Sequence, residues 1–74
     1  MPILKNLKTY RTFIGENQET FAKLLGCTKS NYSNKESGKT PITLNEAHII
    51  TQYLSEKLQR DITIDEVFFK KMTL

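Results

Sequence analysis

Gln18-Glu19-Thr20-Phe21-Ala22-Lys23-Leu24-Leu25-Gly26-Cys27-Thr28-Lys29-Ser30-Asn31-Tyr32-Ser33-Asn34-Lys35-Glu36-Ser37-Gly38 is the stretch that decides the fold. Its first part places Phe21, Leu24 and Leu25 on one side of a helix running from Gln18 to Leu25, with Asn17 in front as an N-cap. Ala22 is small where a second helix can cross closely. Gly26 turns the chain sharply, because a residue without Cβ enters the left-handed region at little cost. Cys27 reads as a small hydrophobe in the turn. Thr28 caps a further helix, Lys29 to about Ser37, and Gly38 ends it. This helix is almost wholly polar, and only Tyr32 is an apolar anchor. Ser- and Asn-rich segments have weak helix propensity, so neighbouring elements must hold it in place.

Outward from this pair of helices, the N-terminal side shows Leu4, Leu7, Tyr10 or Arg11, and Ile14 at steps of three and four. They predict a first helix from Ile3 or Leu4 to Ile14, closed by Gly15. On the C-terminal side, Lys39-Thr40-Pro41 is a loop. Thr43-Leu44-Asn45-Glu46 is a capping box. It opens a fourth helix with Leu44, Ala47, Ile49 or Ile50, Leu54 and Leu58 inward and an end near Arg60. Thr63-Ile64-Asp65-Glu66 is a second capping box, opening a short fifth helix from Ile64 to about Phe69, with Val67 and Phe68 inward. Phe69 or Leu74 is left for a partner surface. The expected fold class is all-α: one compact five-helix domain over residues 1–74, since three residues of Ile62-Thr63-Ile64 make a poor strand.

Composition narrows the function. The chain has 74 residues, 38% of them hydrophobic and 26% charged, which argues against a disordered or low-complexity segment. No apolar run approaches the ~20 residues of a membrane-spanning helix, and the first residues lack a signal-peptide layout. One cysteine and one histidine exclude an internal disulfide and a Cys/His zinc site within one chain. No metal site and no cofactor is expected. Cys27 has no base near it in sequence, and His48 has no cluster at ligand spacing. Glu46 and Glu66 are accounted for by capping boxes, and no carboxylate pair or phosphate-cradling loop suggests an enzyme. The charge is uneven: residues 1–40 hold seven Lys/Arg against three acids, and residues 41–74 hold four against five. A basic half suits a polyanion, although that excess alone also fits an ordinary solvated surface.

The run Gln18 to Thr28, then Tyr32-Ser33, then Glu36-Ser37-Gly38-Lys39, resembles the Cro/repressor-type (XRE) helix-turn-helix family, whose fold is the lambda-repressor-like DNA-binding domain. The closing Ile62-Thr63-Ile64-Asp65-Glu66-Val67-Phe68-Phe69 resembles that family's final helix, so the likeness covers residues 4 to 69. Tyr32 to Glu36 with Ile42 to Ala47 is similar to small regulators of phages and mobile elements. The resemblance implies a sequence-specific DNA-binding transcriptional regulator, a Cro-like repressor on double-stranded operator DNA in the cytoplasm of a bacterial host, associated with the nucleoid. It implies a homodimer, one that assembles on DNA, and no membrane. It carries base reading to Gln18, Lys29, Ser30 and Asn34, and phosphate contact to Asn17, Thr28, Asn31, Ser37, Lys39 and Thr40. It pairs Arg11 with Glu36 in a structural salt bridge, with Arg11 near the phosphates. On periodicity alone the same helix face reads as merely solvated; the linked motif favours bases, because short amides and a cation are what read a major groove. Three departures stand out. Glu16 and Lys35 replace apolar residues, Lys35 with its stem along the core edge and its ammonium toward water or phosphate. Ser55–Asp61 is longer than the common turn. Two other readings use the same residues: an interaction module that binds a partner repressor, of anti-repressor type, and the DNA-binding antitoxin of a toxin pair.

Overall fold

Four helical elements begin by the same local chemistry. A side-chain oxygen of Asn17, Thr28, Thr43 or Thr63 accepts the backbone N–H three residues on, from Thr20 at 3.0 Å, Asn31 at 3.1 Å, Glu46 at 3.1 Å and Glu66 at 3.1 Å. Each satisfies a donor that the first helical turn leaves open. At Thr43 the box is reciprocal, because the Glu46 carboxylate accepts the Thr43 N–H at 3.1 Å. The computed structural model describes residues 5–69. The elements are α1 (Lys5–Phe13), α2 (Gln18–Leu25), α3 (Lys29–Glu36), α4 (Leu44–Leu58) and a π-helical turn, α5 (Asp65–Phe69). No strand occurs among the described residues. The expected first residues of α1 and the tail from Lys70 to Leu74 lie outside them.

The ends differ in how they are made. After α2, Gly26 sits at φ 70° and ψ 31°, and its N–H reaches the Lys23 carbonyl while the Cys27 N–H reaches Ala22. This is the Schellman pattern. A Cβ at Gly26 would meet nothing within 4 Å, so the backbone angle rather than space is what glycine serves here. Helix α4 stops at Leu58, two residues short of the expectation, because Gln59 turns left-handed at φ 55°. The chain then folds back onto Ser55. Its hydroxyl accepts the Ile62 N–H at 3.0 Å and donates to the Ile62 carbonyl at 3.3 Å. Helix α1 ends at Phe13 rather than Ile14, with the Ile14 N–H still bonded to the Tyr10 carbonyl.

Leu7, Phe21, Ala22, Tyr32, Ile50, Leu54, Ile62 and Val67 form the buried core, drawn from every element. Phe21 is at its centre, edge-on to Tyr32 at 5.8 Å and to Tyr53 at 5.7 Å between ring centroids. Such T-shaped pairs contribute about 0.5–1.5 kcal/mol each beyond area burial. Phe68 and Cys27 are half-buried against this core. Of the paired alternatives, Arg11 and Ile50 are the buried members. Leu44 departs from expectation. It is 76% exposed at the first position of α4, where the helical spacing continues past the edge of the core. Asn6 and Tyr10 dock α1 on α5, donating to the Glu66 carbonyl at 3.0 Å and its carboxylate at 3.3 Å.

Gln59→Gly is expected to raise stability by about 1 kcal/mol, since the left-handed angle penalises a residue with Cβ. Urea denaturation of both chains checks it through a higher midpoint at unchanged slope.

Candidate nucleic-acid interface

Tyr32 and Glu36 are one turn apart on α3, and they face into the molecule. Glu36 is a carboxylate with four donors on it. Arg11 from α1 grips it two-fold, Nε to Oε2 at 2.9 Å and NH2 to Oε1 at 3.1 Å. The Tyr32 hydroxyl donates to Oε2 at 2.8 Å, and the Gln18 amide of α2 donates to Oε1 at 3.2 Å. The remaining Arg11 nitrogen, NH1, donates to the Glu16 carbonyl at 2.9 Å. The Arg11 and Glu36 side chains are 8% and 5% exposed. Burying a charge is costly unless it is paired and hydrogen-bonded. Here both conditions are met, and no buried side-chain polar atom among the described residues lacks a partner.

The electrostatics follow. Burial disfavours the Glu36 anion, yet hydrogen bonds from Arg11, Tyr32 and Gln18 outweigh it, so its pKa lies below the usual carboxylate value. Burial and the Glu36 charge together push the Tyr32 hydroxyl up, keeping it a neutral donor. A hydrogen bond to the Glu16 carboxylate, with burial, moves Tyr53 up to about 12. That bond between Tyr53 and Glu16 ties the α1–α2 connection to α4.

The expected site residues divide into three groups. Gln18 is half-buried, with its amide N–H donated inward to Glu36. Arg11 is enclosed, leaving little of its guanidinium for phosphate. The second group is partly engaged by caps and turns. Asn17 Oδ1 accepts from the N–H and hydroxyl of Thr20, and Thr28 Oγ1 accepts from the Asn31 N–H. The Ser37 hydroxyl donates to the Asn34 carbonyl at 3.1 Å. In the third group, the side chains of Lys29, Ser30, Asn31, Asn34, Lys39 and Thr40, together with Ser33, make no hydrogen bond or ion pair to another described residue. Lys29, Ser30, Asn31, Ser37 and Lys39 are exposed, and Ser33, Asn34 and Thr40 are half-buried. At 100° per residue, Ser30 and Asn34 lie opposite Tyr32 and Glu36, with Asn31 to one side. The outer side of α3 is therefore a row of unengaged donors and acceptors with no apolar side chain.

Lys35 corrects the sequence reading. Its ammonium does not point to solvent: it meets Glu46 Oε1 of α4 at 3.1 Å and the Pro41 carbonyl at 3.4 Å. The Tyr32 hydroxyl and Glu46 are site members that sequence reasoning missed. Tyr32 was visible as an i, i+4 neighbour of Glu36, whereas Glu46 was already accounted for by its capping box.

What these residues form is a small helical domain whose second connection brings two capped helices together. No helix among the described residues is long and apolar enough to cross a membrane, and no group of three or more His, Cys, Asp or Glu there is placed to hold a metal ion. Comparison with family models, curated proteins and solved structures returns no match.

Arg11→Ala leaves a buried carboxylate without its cation, a change that typically costs about 3–5 kcal/mol. A thermal melt at neutral pH should show a large fall in Tm; an unchanged Tm contradicts the role given to the pair. Because the Glu36 pKa is depressed on folding, its contribution is complete above the unfolded carboxylate value of about 4.3 and is lost as pH falls through its lower folded value. Wild type should lose more stability than Glu36→Gln on acidification from about pH 5 to pH 2, measured by urea titration at each pH.

Proposed function

We propose that this chain is a sequence-specific double-stranded-DNA-binding regulator of the Cro/repressor type, with α2 and α3 as its helix-turn-helix and α3 in the major groove. One observation carries the reading: the inner side of α3 is fully engaged by Arg11, Gln18 and the core, while its outer side holds Ser30, Asn31 and Asn34 without partners. Polar side chains of this length complement base edges; Asn in particular pairs two-fold with adenine, and Lys29 at the N-terminal turn can donate to guanine. The N-terminal ends of α2 and α3 bear exposed caps at Asn17 and Thr28, where backbone N–H groups and the helix dipole favour a phosphate. Lys39 and Thr40 extend this edge beyond the end of α3.

Within this proposal Gln18 changes character. One of its amide donors is held by Glu36, which leaves the second N–H and the carbonyl oxygen to meet a base or sugar. Arg11 acts by holding α3 rather than by touching DNA. The active species is a homodimer assembled on a two-fold operator, with half-sites about 34 Å apart. Phe69, 75% exposed at the end of α5, is its candidate contact. An interaction module docking through α3 is disfavoured, because the outer side of that helix offers no apolar anchor.

Selection of bound duplexes from a random pool tests the reading by enrichment of a defined site. On that site Asn34→Ala should lose about 1–3 kcal/mol and relax preference at one base pair. Equal loss on unselected DNA contradicts base reading. Lys39→Ala should weaken binding to every duplex and flatten the salt dependence by about one unit, measured by fluorescence anisotropy across a salt series.

A further inference from the structure

The loop from Ser37 to Thr43 joins α3 to α4, and it is fastened at both ends to groups that lie outside it. At its start, the Asn34 carbonyl accepts three donors: the Lys39 N–H at 2.9 Å, the Thr40 N–H at 3.2 Å and the Ser37 hydroxyl at 3.1 Å. At its far end, Lys35 reaches across from α3 to the Pro41 carbonyl and to Glu46 Oε1. The same Glu46 oxygen accepts the Thr43 N–H, so one atom caps α4 and receives the Lys35 ammonium. The Lys35 and Glu46 side chains are 12% and 20% exposed, which screens the pair from water far more than an ordinary surface pair. Desolvation opposes the Glu46 anion, but the Thr43 N–H and Lys35 outweigh it and hold its pKa low.

We propose that the Lys35–Glu46 pair is a positioning clamp: it holds the Ser37–Thr43 loop against α3 so that Lys39 and Thr40 meet the phosphate backbone in fixed register with Asn34. The inference rests on the DNA-binding reading above and adds to it a residue that never touches DNA. Asn34 is where the two functions join. Its amide is free for a base, and its carbonyl anchors the residues assigned to phosphate. Lys35, although basic and on the binding helix, contributes through Glu46 and Pro41. Glu46, although acidic, favours binding to a polyanion.

That last consequence makes the test sharp. In Glu46→Leu the oxygen that receives Lys35 is gone, while the Thr43 hydroxyl can still accept the N–H at this position and cap α4. One negative charge is lost, so charge alone predicts tighter DNA binding. The clamp predicts weaker binding to the selected duplex, a salt slope flatter by about one unit, and no further loss when Lys39→Ala is added. Lys35→Met, which keeps an apolar stem and leaves both halves of the capping box in place, should behave in the same way. Without DNA, amide hydrogen exchange at Lys39 and Thr40 should quicken several-fold in Glu46→Leu and in Lys35→Met, while Leu54 in the core keeps its wild-type rate. Tighter binding by Glu46→Leu overturns the proposal. So does a slope lower by about two units in Lys35→Met combined with Lys39→Ala, which would mean that Lys35 meets a phosphate itself. Unchanged exchange at Lys39 and Thr40 with DNA binding intact overturns the clamp alone. Failure of the wild-type chain to enrich any duplex overturns the DNA reading and, with it, the clamp's part in binding.

Discussion

A carboxylate enclosed among three helices and covered by four donors gives α3 its place. Helix α3 has one apolar residue among eight, and Ser and Asn compete with the backbone for hydrogen bonds. Such a helix does not form from propensity, nor from a buried apolar stripe. It is held by Tyr32 inside the core and by Glu36, which takes bonds from α1 through Arg11 and from α2 through Gln18. The charge is what makes the arrangement demanding. Any member removed leaves a buried group without its partner, and the penalty exceeds what the pair itself contributes.

This anchoring frees the other side of the helix. Most amphipathic helices place their apolar side inward and a solvated, loosely specified side outward. In α3 the inward side carries one ring and one ion, so nearly every remaining position can hold a short hydrogen-bonding side chain. Ser30, Asn31 and Asn34 stand on a helix held from inside, and their side chains are not used internally. A backbone already in place spares part of the ordering cost of binding. The loop after α3 follows the same logic. Lys39 and Thr40 are fixed through backbone bonds to Asn34, and their side chains are left unengaged.

The sequence made local features legible and distant ones illegible. Helix α2 matched its expected span because Asn17 and Gly26 mark both ends with residues whose chemistry is specific to those positions. The end of α4 did not, because Gln59 carries no signal for a left-handed angle. Leu44 kept the helical spacing and is nonetheless exposed, since spacing says which side of a helix a residue is on and not whether the core extends that far. Lys35 reads from the sequence as a solvent or phosphate group because its partner is eleven residues away, on another helix. Gln18 and Glu36, eighteen apart, and Tyr53 and Glu16, thirty-seven apart, are likewise beyond any local pattern. The pairing of Arg11 with Glu36 came from resemblance; nothing in a separation of twenty-five residues points to it. The outer side of α3 was readable as polar, but that its groups lack internal partners is a fact of three-dimensional structure.

On the proposal that α3 is propped from inside so that its outer side meets nucleobases, a bound duplex must perturb that side. Amide and side-chain chemical-shift mapping with a duplex recovered by selection reads this out. Shifts should concentrate at Lys29, Ser30, Asn31 and Asn34 and continue to Lys39 and Thr40, with Leu54 and Val67 unmoved. A bound duplex that leaves α3 unperturbed, or shifts centred on α4 and α5 instead, would contradict it.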